Sequence, residues 1–307
     1  MAFGAFQSTV AGGAQAAPVV QRRSPVALLL LLPGVLYLIL FFLTPLLSLV
    51  LTSFQAPVPG GFAGDYQTAF QWQNYTVVVE TYWSHISRSF IYALTATFFA
   101  LIIGYPIAYV IGVKLRNYPL WQALALVLVI APFFISFLLR TLAWKQIFAD
   151  EGFLLGVLKT VQIIPAEAYF TGTPAAVIFG LTYNFIPFMT LPIYTSLERL
   201  DLRYVEAGGD LYANPITVFR TITIPLSIPG VLSGILLTFI PAAGDYINAS
   251  RDFLGSTDTQ MIGNVIEANF LVLQNFPQAA ALSLLLMGAI LILVSAYVKR
   301  SGTEDLL

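Results

Sequence analysis

Two charged side chains stand at the ends of apolar runs. Asp245 closes the run that follows Pro225, and Arg140 lies late in the run that starts near Trp121. At about 1.5 Å of rise per helical residue, each sits roughly 30 Å along its helix, near the far boundary of a bilayer. A carboxylate at that level can hold a cation and a guanidinium can hold an anion. Both residue types also serve there as interfacial groups, as partners of each other, or as donors and acceptors to backbone. The remaining inventory excludes most chemistry. The chain has no cysteine, which rules out disulfides, thiolate nucleophiles and Cys-ligated metals. His85 is the sole histidine and has no second His with which to build a metal site. No paired carboxylates stand at the membrane face, so no catalytic constellation can be assembled. The sequence also lacks a Gly-x-x-x-x-Gly-Lys-Ser/Thr phosphate loop, so it does not cradle ATP by that route.

The elements that must position these groups are membrane spans. The chain is 58% hydrophobic and 9% charged, far from a soluble domain, and its apolar runs are long enough to cross a bilayer. Run length predicts an all-α polytopic protein with six spans over 26–52, 89–112, 119–144, 174–197, 226–248 and 278–298. A helix is the form that satisfies its own backbone in lipid. Residues 1–25 read as a flexible cytoplasmic tail, 26–300 as the transmembrane domain and 301–307 as a second cytoplasmic tail. With the N-terminus inside, nine of the 14 Lys and Arg fall on the cytoplasmic side, which sets the orientation and returns the C-terminus inside. Three outer segments are long: 54–88, 148–173 and 249–277. The apolar stretch from Phe153 to Ile163 and the one ending near Phe270 read as interfacial helices. No internal repeat of the inverted-repeat transporter kind is present.

The connection between spans four and five, 198–225, is polar and carries helix signals. Asp201 is placed to cap a short helix from Leu202 towards Tyr212. Asn214-Pro215 stops that helix and starts another through about Ile222. A helix, a turn and a helix make a compact knob that can transmit a push between its two spans.

Within the knob, Glu206-Ala207-Gly208-Gly209-Asp210-Leu211-Tyr212-Ala213-Asn214-Pro215, closing at Ile222-Thr223-Ile224-Pro225, resembles the EAA loop of ABC-importer permeases. Their pattern is Glu-Ala-Ala, a Gly four positions after the second Ala, and a closing Ile-x-Leu-Pro. Gly208 stands where the third-position Ala is expected, Tyr212 where the Gly is expected, and Ile224 replaces the Leu. Tyr takes positive φ less cheaply than Gly, so the bend is expected to shift to Ala213-Asn214.

The likeness runs from Val26 to near the end of the chain, through Gly104-Tyr105-Pro106, Ala131-Pro132-Phe133-Phe134, Phe185-Ile186-Pro187-Phe188, Pro225-Leu226-Ser227-Ile228-Pro229-Gly230, Ala243-Gly244-Asp245-Tyr246 and Met261-Ile262-Gly263-Asn264. Together these resemble the first permease subunit of spermidine/putrescine-type ABC importers, with the six-helix bundle of a type I importer. The resemblance implies a second permease chain, an ABC ATPase dimer on the cytoplasmic loops and an extracytoplasmic solute-binding protein, all within membrane lipid and with no nucleic acid. ATP and Mg would be bound by the ATPase partner, and this chain would hold no cofactor.

A polyamine is a flexible chain of ammonium groups, so its path needs weak acids and aromatic faces. Asp245 offers the acid, and Tyr246, Phe239, Tyr183, Phe185 and Phe188 offer cation–π faces, though aromatics taken singly also serve as packing. Arg140 would repel a polyamine and reads as structural or as a gate. Were the solute an organic anion or a sugar, Arg140 would become the contact. An ion-coupled secondary transporter needs ionisable groups near mid-membrane, and none stands at mid-span.

Overall fold

The computed structural model describes residues 25–163, 165 and 167–301. The two tails assigned above therefore lie, but for Pro25 and Ser301, outside the described residues. The chain divides into two units, Met1–Ser48 and Leu49–Leu307, each described by itself.

In the first unit, helix α1 (Pro25–Leu38) passes through a π-helical turn (Ile39–Leu43) into α2 (Thr44–Ser53), which straddles the division. The Thr44 hydroxyl donates back to the Ile39 carbonyl at 3.1 Å, satisfying an acceptor within the π turn. Leu29–Leu43 is exposed along its length and apolar throughout, a surface suited to lipid rather than water.

The second unit begins with a two-stranded antiparallel hairpin, β1 (Ala56–Pro57) and β2 (Tyr66–Gln67). Helix α3 (Gln73–Tyr109) then continues through a π turn (Val110–Lys114) for 42 residues in all. At 1.5 Å per residue that is about 63 Å, twice the hydrocarbon thickness. The outer loop expected over 54–88 is thus helical from Gln73. No Gly or Pro interrupts 73–88, and Val78 is buried there against Ile262, Ala281 and Leu282.

The third span departs most from expectation. Helix α4 (Pro119–Ile130) tightens into a 3-10 turn (Ala131–Phe134), the chain extends at Ile135, and α5 (Phe137–Ile147) leaves at 94°. Pro132 weakens the helix there, because it has no backbone donor and its ring crowds the preceding turn. The described residues therefore hold five helices long and apolar enough to cross a membrane and one bent pair, six spans if that pair counts as one. Helix α6 (Phe153–Thr160) follows, with Phe153, Leu154 and Val157 exposed.

Helix α7 (Pro174–Glu198) is the centre of the unit and packs along α3 and α10 (Ile224–Ala243). Small residues bring these three together. A Cβ on Gly234 would lie 2.8 Å from Met189 Sδ, and one on Gly230 would lie 2.6 Å from the Pro192 carbonyl. Such close approach supplies the van der Waals contact that joins helices in lipid, where no hydrophobic driving force remains. Helix α8 (Leu202–Asp210) and α9 (Pro215–Val218) form the knob, and a π turn (Phe219–Thr223) carries α9 straight into α10. Helix α11 (Ile262–Glu267) and its π turn (Ala268–Val272) precede α12 (Phe276–Ser301). The segment ending near Phe270 is not a free interfacial helix: Ile262 and Val265 are buried against α3 and α12, which takes one of its faces away from the interface.

Candidate coupling loop and solute pathway

The knob is built by local capping. The Asp201 carboxylate accepts from the Arg203 N–H at 3.0 Å and opens α8, and the Asn214 side-chain oxygen accepts from the Thr217 N–H at 2.7 Å and opens α9. Asp201 is the cap the sequence signals, and α9 starts at Asn214-Pro215 as expected. The turn between them corrects the sequence reading. Tyr212 itself takes the left-handed conformation, φ +56°, and the bend does not move to Ala213-Asn214. Its N–H bonds the Gly209 carbonyl and that of Ala213 bonds Gly208, the paired bonds that close a helix whose next residue is left-handed. Those bonds fix the turn at Tyr212 in spite of a cost of about 1–2 kcal/mol for a residue with a Cβ. The Tyr212 ring is 100% exposed.

Gly208 gives the knob its rigidity. A Cβ there would sit 3.0 Å from Val218 Cγ2 and 3.1 Å from Ile222 Cδ1, so α8 lies directly on the chain that enters α10. Arg116 adds a tie from the α3–α4 connection, donating to the Leu200 carbonyl at 2.7 Å. Glu206, Ala207, Asp210, Leu211, Tyr212, Asn214, Pro215 and Ile216 remain on the exposed side, and Ala213 is half-buried.

The candidate path residues differ in burial and in partners. Asp245 lies two residues past the end of α10 and is buried. Its Oδ1 accepts from the Asn248 N–H at 2.8 Å and its Oδ2 from the Asn248 side-chain amide at 3.1 Å. Burial, the larger effect, pushes its carboxyl up to about 6, while hydrogen bonds from Asn248 and from the Ala249 and Ile247 backbone pull it down. The network then extends inward. Asn184 of α7, 1% exposed, donates to Asn248 Oδ1 and to Thr141 Oγ1 of α5, each at 3.2 Å. Loop, α5 and α7 are thereby tied at one level. Asn184, Asn248 and Thr141 were not singled out from the sequence. The available signal was a polar amide inside an apolar span, Tyr183-Asn184-Phe185.

Arg140 is buried beside this network. Its Nε and one terminal nitrogen have no acceptor among the described residues, and its guanidinium lies 5.7 Å from the Phe137 ring centroid. Phe137 meets Phe185, Phe185 meets Phe188, and Phe188 meets Phe133 at 5.0 Å. Tyr183 belongs to a second set with Trp144 and also lines an apolar groove of about 550 Å³ between α3, α4 and α7. Phe239 is buried against Phe90, whereas Tyr246 is exposed. Phe185 and Phe239 share one buried cluster on which Phe137 packs, so Phe239 joins the set of Arg140, Phe185 and Phe188. Asp245 reaches Asn184, the neighbour of Phe185, through Asn248, and Tyr246 stays exposed. Among the described residues no His/Asp/Glu group is arranged to hold a metal.

A three-helix core of apolar spans, with a capped helix–turn–helix knob fused to two of them, is the architecture of a membrane permease. A family model described as binding-protein-dependent transport system inner membrane component matches residues 153–301. The chain is 34% identical over 270 residues to the spermidine/putrescine transport system permease protein PotB of Haemophilus influenzae, covering 86% of this chain and 90% of that one. It is 35% identical over 266 residues to the protein of the same name from Escherichia coli K12, covering 86% and 94%. A crystal structure of a bacterial ABC transporter involved in the import of the acidic polysaccharide alginate matches with a TM-score of 0.66 at 14% identity, over 90% of this chain and 94% of that chain. That likeness shows the fold. The chain belongs to the family of binding-protein-dependent transport system inner membrane components, as a multi-pass permease of the inner membrane.

Proposed function

We propose that this chain is one permease subunit of an ATP-driven, binding-protein-dependent importer of polyamines. The observation that carries the reading is the knob. Its outer side presents Leu211, Tyr212 and Ile216 to solvent, large apolar surface outside the spans that a partner would cover, while its inner side is fused through Gly208 and Val218 to α10. An ABC ATPase dimer docks there, binds ATP and Mg, and pushes on α8 as it closes. The push reaches α10 through the π turn and rocks spans three to five against a second permease chain, which alternates access between the two sides. In this reading both termini are cytoplasmic, residues 1–25 and 301–307 are tails, and an extracytoplasmic binding protein delivers the solute. The polyamine assignment rests on the identity to the two spermidine/putrescine permeases over most of each chain.

Glu206, Ala207, Gly208, Asp210 and Tyr212–Pro215 carry the coupling. Phe185 and Phe188 offer rings to the passing solute. Asp245 acts on it through the loop it organises, since both its oxygens are already engaged. A second reading, an organic anion as solute, draws on one observation: the buried Arg140 guanidinium has donors without acceptors among the described residues. Uptake of labelled spermidine and putrescine by cells with and without the gene, competed by unlabelled polyamine or organic anion, separates the two. Saturable polyamine uptake lost on deletion supports the first reading, and anion uptake lost instead supports the second.

A further inference from the structure

Phe219 opens the π turn that joins the knob to α10, and its ring is held by two tyrosines of α3. Tyr105 meets it edge-on with centroids 5.7 Å apart at 86°, and Tyr109 does so at 5.4 Å and 87°. Residues four apart lie on one face of a helix, so the two tyrosines form a socket rather than two separate contacts. Tyr105 also shares a 2.8 Å hydrogen bond through its hydroxyl with Ser227 of α10, so one tyrosine holds the turn and the span beyond it. The residue before, Val218, is buried the other way, against Gly208 of α8. Adjacent residues of one turn therefore engage α8 on one side and α3 on the other.

We propose that Phe219 is a positioning residue that carries displacement of the knob into α3, making α3 a driven helix alongside α7 and α10. This rests on the reading of 198–225 as the ATPase-coupling loop. A push on α8 reaches Val218 by direct contact, and the bracketed Phe219 ring cannot slide along α3 without leaving one tyrosine. Helix α3 then moves with the turn, and because α3 packs along both α7 and α10 the three helices move as one body.

The test uses the complete transporter in proteoliposomes, with solute uptake and ATP hydrolysis measured in the same vesicles. Phe219→Ala is expected to assemble and hydrolyse ATP while solute moved per ATP falls roughly tenfold, the scale of losing two edge-on ring contacts. Phe219→Tyr, which keeps the ring, is expected to keep the ratio. An unchanged ratio in Phe219→Ala overturns the proposal. Should that variant not assemble, the absence of native cysteine from this chain permits a second test, with the partner chains' cysteines replaced. The pair Phe219→Cys with Tyr109→Cys is expected to be uncoupled, and a short bifunctional thiol reagent bridging the two is expected to restore coupling. A bridged pair that stays uncoupled overturns the proposal. Failure of the wild-type chain to bind its ATPase would instead remove the coupling-loop reading, and this inference with it.

Discussion

The side chain of Asn248 fills the space that a Cβ on Gly180 would need: that carbon would lie 2.5 Å from Asn248 Oδ1 and 2.5 Å from Leu254 Cδ1. The loop beyond α10 is thus seated in a notch on α7, and the amide in that notch is the hub to which Asp245 and Asn184 bond.

Gly180→Ala tests the notch. Asn248 is fully buried and held by hydrogen bonds, so it cannot retreat cheaply, and overpacking of this kind costs about 1–3 kcal/mol. The expected outcome is a lower melting temperature in detergent. Gly209→Ala is the control. Gly209 lies within α8 with nothing within 4 Å of the added carbon, and the gain in helix propensity is about 1 kcal/mol. A Gly180→Ala protein as stable as wild type would show that the loop is loosely seated.

The carboxyl of Asp245 makes stability depend on pH. Its folded-state value is about 6 against an ordinary 3.8, so the folded chain holds a proton that the unfolded chain releases. The stabilising contribution is complete below about pH 4 and is lost as pH rises through about 6, with a ceiling of about 3 kcal/mol. Melting temperature should fall between pH 4 and 7. Asp245→Asn, which carries no titrating proton, should flatten that slope. An equal slope in the variant would assign the pH dependence to other groups.

Tyr212→Gly should act in opposite directions on two readouts. Relief of the left-handed tyrosine, φ +56°, stabilises the knob by about 1 kcal/mol. Loss of the exposed ring removes contact area that the ATPase covers in the proposed complex. The expected result is a protein no less stable than wild type that retains less ATPase on affinity capture. Full retention would separate Tyr212 from the docking surface.

Glu206→Lys places a reversed charge on an exposed position of α8 with no cost to packing. Stability should stay within about 0.5 kcal/mol of wild type, while nucleotide-driven uptake is lost. Normal uptake would remove Glu206 from the coupling surface.

What the sequence makes legible here is local. Asp201, Asn214 and Pro215 act within three residues of themselves, so the knob's two helices could be drawn from spacing alone. The apolar runs of α7 and α12 are uninterrupted by a decisive break, and their bounds follow. The sharp bend after Pro132 was not legible, because other prolines such as Pro187 and Pro192 sit inside an unbroken α7, and only tertiary packing decides which proline breaks its helix. The turn at Tyr212 was misplaced for a related reason: propensity argued against positive φ, and the paired hydrogen bonds at the end of α8 prevailed. The Thr141–Asn184–Asn248 network joins residues 43 and 64 positions apart, a juxtaposition that no local pattern contains. Asp245 was visible as a charge at a boundary, but its hydrogen bonds to Asn248, three residues on, were not.

The π turn at Phe219–Thr223 sets the phase between the knob and α10. A helix advances about 100° of rotation per residue, and a π turn holds one residue more than the α-helical ladder would. Deleting a single residue there would leave every side chain of α10 chemically intact yet rotate the whole span by roughly a quarter turn against α8. Gly230 and Gly234 would then face away from Met189 and Pro192, and bulkier neighbours would meet α7 in their place. The extra residue is therefore an angular setting: it keeps the smooth side of α10 turned toward α7 while the knob faces outward.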